Sequence, residues 1–204
     1  MENPALASGM GNVGYTLMER YKVNLTLRAD GSSMVGKHNR WGLFPSVSAE
    51  WDVRKEPFFS SVPLRIISQC KLRTGYGESG NLGGISPFNS LQLLSPNGVV
   101  PYNGSSTITM GLLRNVNPDL KWETRGTFNI GADLGFWNNR IIMTAEYYHS
   151  KTRDMLYLYD VPVPPFAYDK LLANIGSMSN SGIELGLGLT PIQKRDMELN
   201  VNVN

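Results

Sequence analysis

The chain has 204 residues, of which 41% are hydrophobic, 10% aromatic and only 18% charged, against a usual charged share of roughly 25%. This excludes a coiled coil, a disordered tail and a collagen-like chain, and apolar runs such as 161–166 fall far short of the roughly 20 residues a membrane helix needs. The 19 basic and 17 acidic side chains are scattered singly, so no basic stripe marks a nucleic-acid partner, and the lone Cys70 permits neither an internal disulfide nor a CxxC motif.

The start, Met1-Glu2-Asn3-Pro4, lacks the basic and then apolar stretch of a secretion signal. Residues 10–18 then alternate weakly between apolar and polar. Gly9-Met10-Gly11-Asn12-Val13-Gly14 spells GxGxxG, but a dinucleotide site needs a strand before it and a helix after it. Residues 15–30 keep a period of two, so the glycines read as a thinned strand. In residues 21–30 Tyr21, Val23, Leu25, Leu27 and Ala29 share one face, and Lys22, Asn24, Thr26, Arg28 and Asp30 the other. After a long connection at 31–42, residues 45–53 alternate again, with Ser46, Ser48, Glu50 and Asp52 on the polar face.

A link at 54–63 leads to a weaker strand at 64–77. The longest connection, 78–120, contains Phe88, Tyr102 and a polar tract at 103–107. The clearest alternation follows at 121–136, with Trp122, Phe128, Ile130, Leu134 and Phe136 opposite Lys121, Glu123, Arg125, Asn129 and Asp133. A short turn at 137–140 precedes a strand at 141–152. The long connection 153–177 carries Tyr157, Tyr159, Phe166 and Tyr168 among prolines, and strands at 178–190 and 196–204 flank a short link at 191–195.

Eight strands and no helix, joined by links alternately short and long, predict an all-β fold. The architecture expected is an antiparallel, up-and-down transmembrane β-barrel segment with short periplasmic turns and long extracellular loops. Arg28, Arg73, Lys121, Glu123, Arg125, Asp133 and Glu146 then face a wet lumen. Aromatic side chains collect near both ends, with Tyr21, Trp51, Phe136 and Trp137 toward the short turns and Trp41, Phe44, Tyr76, Trp122 and Tyr147 toward the long loops, as interfacial girdles do. The alternative is a soluble or surface β-sandwich adhesin that binds glycans, with the apolar face packed on a second sheet.

No GxSxG occurs, and His38 and His149 lie far apart without an HxxxH or a cysteine partner, so neither an enzyme nor a metal or other cofactor is expected. Long connections in compact folds are usually functional or disordered. Tyr102, Tyr157, Tyr159, Phe166 and Tyr168 are therefore the loop candidates for stacking on a ligand or gripping a partner.

Several short motifs occur in a shared order. They are 28–33 (RADGSS), 39–51 (NRWGLFPSVSAEW), 72–81 (LRTGYGESGN), 117–123 (NPDLKWE), 129–131 with 138–140, 147–154, and 174–176 with 180–185. Together they resemble the barrel of the SusC/RagA family of TonB-linked outer-membrane transporters of Bacteroidetes. The resemblance implies a large barrel with an N-terminal plug in the cell outer membrane, energised through TonB at the plug. Such a barrel imports oligosaccharides or peptides with a SusD-like lipoprotein over its extracellular mouth. Residues 1–204 contain no plug, no signal peptide and no closing C-terminal strand with a terminal aromatic residue, so the expectation is a partial barrel that cannot transport alone.

Overall fold

The computed structural model describes residues 5–85 and 90–204; Phe88 falls outside them. Ten strands form: β1 (Leu6–Leu17), β2 (Tyr21–Ser32), β3 (Trp41–Asp52), β4 (Ile67–Asn81), β5 (Leu94–Tyr102), β6 (Ser105–Leu112), β7 (Glu123–Phe136), β8 (Ile141–Asp160), β9 (Lys170–Lys194) and β10 (Met197–Val203). Eight make one antiparallel sheet in the order β1-β2-β3-β4-β7-β8-β9-β10, each beside its neighbour in sequence except where β5 and β6 leave as a separate hairpin. The sheet is open, and all its turns and loops alternate between two ends, as an up-and-down meander requires.

The departures from the sequence expectation have local causes. The β5–β6 hairpin was hidden inside 78–120, because Pro96, Gly98 and Pro101 interrupt its strand pattern and the pairing shifts between Pro96 and Gly98. Its signal was Asn103-Gly104, with φ of 49° and 78°, the left-handed pair that a tight hairpin turn requires. Likewise 153–177 is mostly paired strand, and only 161–169 loops out. A bulge with Asp154 at φ 56° shifts the register between Thr152 and Met155, so the alternation that defines β8 and β9 breaks there although the strands continue. The last turn narrows to 195–196, whereas 53–66 is a long link with 3-10 turns at Val53–Lys55 and Pro57–Phe59. It exceeds the nominally long 33–40, so the alternation of loop lengths is not strict.

The two faces of the sheet have inverted burial. One row reads Val13, Leu25, Val47, Tyr76 and Phe128 across consecutive strands, and the next Tyr15, Val23, Ala49, Thr74, Ile130, Tyr147 and Ile183. These side chains are open to the surroundings, with Leu25 53%, Ile130 51% and Ile183 71% exposed. On the opposite face Ser150 and Thr152 are 3% and 7% exposed. No second sheet covers the apolar face among the described residues, so the sandwich alternative fails on architecture. Two of the expected girdle residues are also placed differently. Phe44 pairs with Arg28 on the polar face and is buried, and Tyr147 lies toward the short-turn end, next to the row of Tyr21 and Trp51.

That end is fastened by a carboxylate. Arg20 Nη1 donates to Glu56 Oε2 at 2.8 Å, while Tyr21 Oη and Trp51 Nε1 donate to Oε1 at 2.6 and 3.0 Å. The two rings stack at 6.2 Å. Arg54 holds the rest of the link by donating to the carbonyls of Phe59, Val62 and Ile67. Hydrogen bonds from Tyr21 and Trp51, then Arg20, hold the Glu56 carboxyl below its ordinary pKa. A carboxyl depressed in the folded state stabilises it fully above the unfolded-state value, and that stabilisation fades as pH falls through the folded-state value. Acid titration of the folded full-length protein is therefore expected to loosen the link 53–66 only once the pH falls below the ordinary carboxylate range, seen as a change in Trp51 fluorescence. Glu56→Gln should remove that acid step; an unchanged titration would show that Glu56 is not its source.

Candidate functional site

The polar face carries a belt of charge that exists only because of the strand register. Thr16, Lys22, Glu50, Arg73, Gly131, Glu146 and Glu184 stand side by side across seven strands. One step nearer the short turns, the row is Asp52, Lys71, Asp133, Thr144 and Gly186. Ion pairs run along and between these rows: Lys22 to Glu50 at 3.1 Å, Lys71 to Glu50 at 3.4 Å, and Arg73 to Asp133 at 3.1 Å and to Glu146 at 2.7 Å. The last contact bridges two strands. Gly131 lies between them in the row, and the guanidinium packs against it at ordinary contact distance. Asn129 donates to the other oxygen of Glu146 at 3.2 Å, whereas Glu184, opposite Glu146, makes no salt bridge among the described residues.

Above this belt, toward the long loops, lies a shallow hollow of about 500 Å³ bordered by Arg125, Asn129, Glu146, Tyr148, Asn180 and Glu184. Arg125 Nη2 donates to Ser150 Oγ at 3.2 Å, and the Ser150 and Thr127 hydroxyls are 2.9 Å apart. The surface therefore offers one aromatic ring among donors and acceptors of both signs, chemistry suited to hydroxyl-rich or peptide ligands and not to bond breaking. Among the described residues, no three His, Cys, Asp or Glu side chains are placed to hold a metal.

At the long-loop end, asparagines tie separate segments together. Asn39 donates to the carbonyls of Asp119 and Leu120, Asn117 to Leu172, Asn115 to Tyr168 and Lys170, and Asn174 to Lys121 and Asp154. Beneath them Val35, Leu120 and Phe44 are buried. The Phe44 ring meets Trp122 edge-on at 5.7 Å and fills the space left by Gly42 and Gly80. Trp122 Nε1 donates to the Arg40 carbonyl at 3.3 Å.

The seven charged residues singled out from the sequence divide between these regions. Arg73, Asp133 and Glu146 meet in the belt. Arg125 borders the hollow, and Arg28 chelates Asp30 at 2.8 and 2.9 Å near the long-loop end. Lys121 precedes β7 and pairs with Asp154 at 2.8 Å, and Glu123, the first residue of β7, accepts hydrogen bonds from Asn81 and the Leu156 amide. The aromatic candidates are not gathered. Tyr102 projects from the β5–β6 turn, Tyr157 and Tyr159 are strand residues of β8, Phe166 sits half-buried in the 161–169 loop, and the Tyr168 hydroxyl donates to the Leu112 carbonyl. Lys22, Glu50, Lys71, Glu184 and Tyr148 were missed as site residues. Lys22 and Glu50 show the right alternation in the sequence, but only the cross-strand register reveals their partners.

An antiparallel wall with one uncovered apolar face and one charged face defines the class: a β-barrel protein of the outer membrane. The chain belongs to the family described as TonB dependent receptor-like, beta-barrel, whose model matches residues 7–204. It is 34% identical over 201 residues to the TonB-dependent receptor SusC of Bacteroides thetaiotaomicron, an alignment covering 98% of this chain and 20% of that protein. The structure of the RagAB peptide importer in its open-open state superposes with a TM-score of 0.86 at 28% identity, over 98% of this chain and 21% of that one. The siderophore receptor PirA from Pseudomonas aeruginosa shares the fold alone, with a TM-score of 0.60 at 13% identity over 98% of this chain and 33% of that one. These relatives are receptors and transporters, in keeping with the expectation that the chain is not an enzyme.

Arg73 neutralises two carboxylates that would otherwise face each other, so Arg73→Met in the full-length barrel is expected to cost about 1–3 kcal/mol. Adding Asp133→Asn and Glu146→Gln should recover most of it. Denaturant titration of wild type and the two variants in detergent tests this, and a triple variant no more stable than Arg73→Met would mean the belt is not electrostatically coupled.

Proposed function

We propose that the chain is one part of the wall of a larger TonB-dependent transporter. The polar face lines the lumen, the short turns face the periplasm and the long loops face outward. In this reading the full protein imports oligosaccharides or peptides, energised through TonB at a plug, and a SusD-like lipoprotein covers the extracellular mouth. The observation that carries the reading is the inverted burial: large apolar side chains are exposed on one face, while on the other Ser150 and Thr152 are covered and the paired charges half-covered. Lipid is the surroundings that makes the first face favourable, and a wet lumen is what solvates the second. The likeness to a peptide importer supports the peptide class, and the polar hollow with Tyr148, Asn129 and Asn180 suits oligosaccharides as well as peptides.

The loop aromatics have divided roles in this reading. Tyr168 fastens the 161–169 loop to the end of β6, while Tyr157 and Tyr102, at 63% and 73% exposed, are free to meet substrate or lipoprotein together with Tyr159 and Phe166. Replacing Tyr157, Tyr159 and Tyr168 together by alanine in the full-length protein is expected to weaken ligand binding measured by calorimetry. Unchanged affinity removes them from the binding surface.

The orientation of the wall is tested by adjacent substitutions. Leu25→Arg puts a charge against lipid at mid-strand and is expected to cost roughly 2–4 kcal/mol, whereas Asn24→Arg, facing the lumen, should cost much less. Folding yield in lipid vesicles under urea measures both, and equal penalties would reverse or abolish the assignment of faces.

A further inference from the structure

The short-turn end carries a notch on the apolar side that neither the polar face nor the long loops use. It arises because adjacent strands stop at different heights. β7 and β8 end at their shared turn, where Phe136 pairs with Ile141, but β9, whose pairing with β8 finishes at Leu189, runs on against β10 through Gln193 and Lys194. On the other flank the link 53–66 enters β4 next to β7. The resulting hollow of about 560 Å³ is lined by Arg65, Trp137, Arg140, Ile141, Leu189 and Gln193, among others. The strands that bound it, β4, β7, β8 and β9, each have both neighbours in the sheet, so it does not come from an open sheet edge.

Its chemistry is divided in depth. The floor continues the apolar face, since Ile141 and Leu189 stand opposite each other and the next row brings Leu134, Met143 and Leu187. The rim holds two exposed arginines. Among the described residues neither Arg65 nor Arg140 forms a salt bridge, and no carboxylate lines the hollow. Trp137 completes the rim at φ 50°, a backbone region that bulky residues rarely occupy. The turn is pinned there because the Asn139 amide donates to Ser68 Oγ at 2.9 Å and Ser68 Oγ donates to Asn139 Oδ1 at 2.7 Å.

We propose that this notch binds the phosphate headgroup of an anionic phospholipid in the leaflet at the short-turn end, with its acyl chains lying over Ile141, Met143 and Leu187. Guanidinium groups match phosphate oxygens in a bidentate fork, tryptophan prefers the headgroup level, and uncompensated basic pockets at the membrane boundary select anionic lipids. A free phosphate ion uses the arginines but has no use for the apolar floor, and a zwitterionic lipid supplies its own cation. The proposal rests on the membrane orientation given above.

The test uses the full-length protein purified in detergent and native mass spectrometry with phosphatidylglycerol, or with phosphatidylcholine of the same chain length. Wild type should retain phosphatidylglycerol in preference to phosphatidylcholine, and R65Q/R140Q should bind it about thirtyfold more weakly, the loss expected for two basic side chains at a lipid surface. Equal retention by wild type and R65Q/R140Q overturns the proposal. So does equal retention of the two lipids, or displacement by equimolar inorganic phosphate, which would assign the site to a free anion. Both arginines are exposed, so the double variant should keep a heat-modifiable band on a gel; if it does not, Arg140→Gln alone gives the same reading at reduced size. Orientation is scored separately, with Asn138→Cys in a Cys70→Ser background. Labelling by an impermeant thiol reagent in intact cells would sink the orientation and leave the lipid comparison in detergent to stand or fall on its own.

Discussion

Cross-strand register is the constraint on which everything else in this wall depends. Side chains alternate with a period of two, so a slip of one residue between any two strands would turn every leucine of one strand inward and every charge outward. The register found here satisfies both faces at once. Leu25, Val47, Tyr76 and Phe128 line up on one side of the same strands whose other side aligns Lys22, Glu50 and Arg73. The ion pairs are consequences of that alignment and also reinforce it, because Lys22–Glu50 and Arg73–Glu146 can form only when the strands are paired as they are. Surface ion pairs contribute little individually. On a half-covered face between neighbouring strands their larger effect is to penalise the slipped alternatives, in which the same carboxylates would lose their cations or meet each other.

The two ends of the sheet solve a different problem, that of holding irregular backbone in place. The short-turn end relies on concentrated charge: Glu56 gathers three donors from two strands and a turn, and Arg54 satisfies two carbonyls of the link and that of Ile67 at the start of β4. The long-loop end combines ion pairs, Lys121–Asp154 and Lys170–Asp160, with amides, Asn39, Asn115, Asn117 and Asn174 each reaching across dozens of residues to backbone atoms. An asparagine can donate and accept simultaneously, as Asn174 does with both the amide and the carbonyl of Lys121. It therefore suits segments whose backbone donors and acceptors both need a partner.

The strands were legible in the sequence wherever alternation was uninterrupted. Residues 21–30 and 121–136 announced both their strand character and their faces, and the family signatures in 39–51 and 117–123 announced the fold. Legibility failed at specific residues. Asp154 adopts a left-handed backbone and shifts the phase of β8, so a reading based on parity stops there although pairing continues to Asp160. Phe44 has the composition of a girdle residue, but its parity places it inside, where Gly42 and Gly80 leave room for a ring, and only their three-dimensional proximity shows that. The Arg73–Glu146 contact joins two strands that are far apart in the chain and passes over Gly131 of the strand between them, a juxtaposition that no sequence pattern announces. Periodicity specifies faces; partners require register, and register depends on bulges and turns that periodicity does not encode.

The inverted burial also determines where the stability of such a wall comes from. In a water-soluble domain the apolar face would be covered by protein, and its removal from water would supply much of the folding free energy. Here most of the large apolar side chains remain uncovered by any part of the chain, and most of the buried apolar residues, Val35 and Leu120 foremost, lie toward the long-loop end, with Val53 at the other. The protein alone therefore satisfies its backbone through strand pairing and its charges through the belt, and leaves its hydrophobic driving force to be realised against lipid. That division explains why the polar face is the better packed of the two. It must be complete before the bilayer contributes, because within hydrocarbon each unpaired backbone group or isolated charge costs several kcal/mol, and the membrane offers nothing that can repair it.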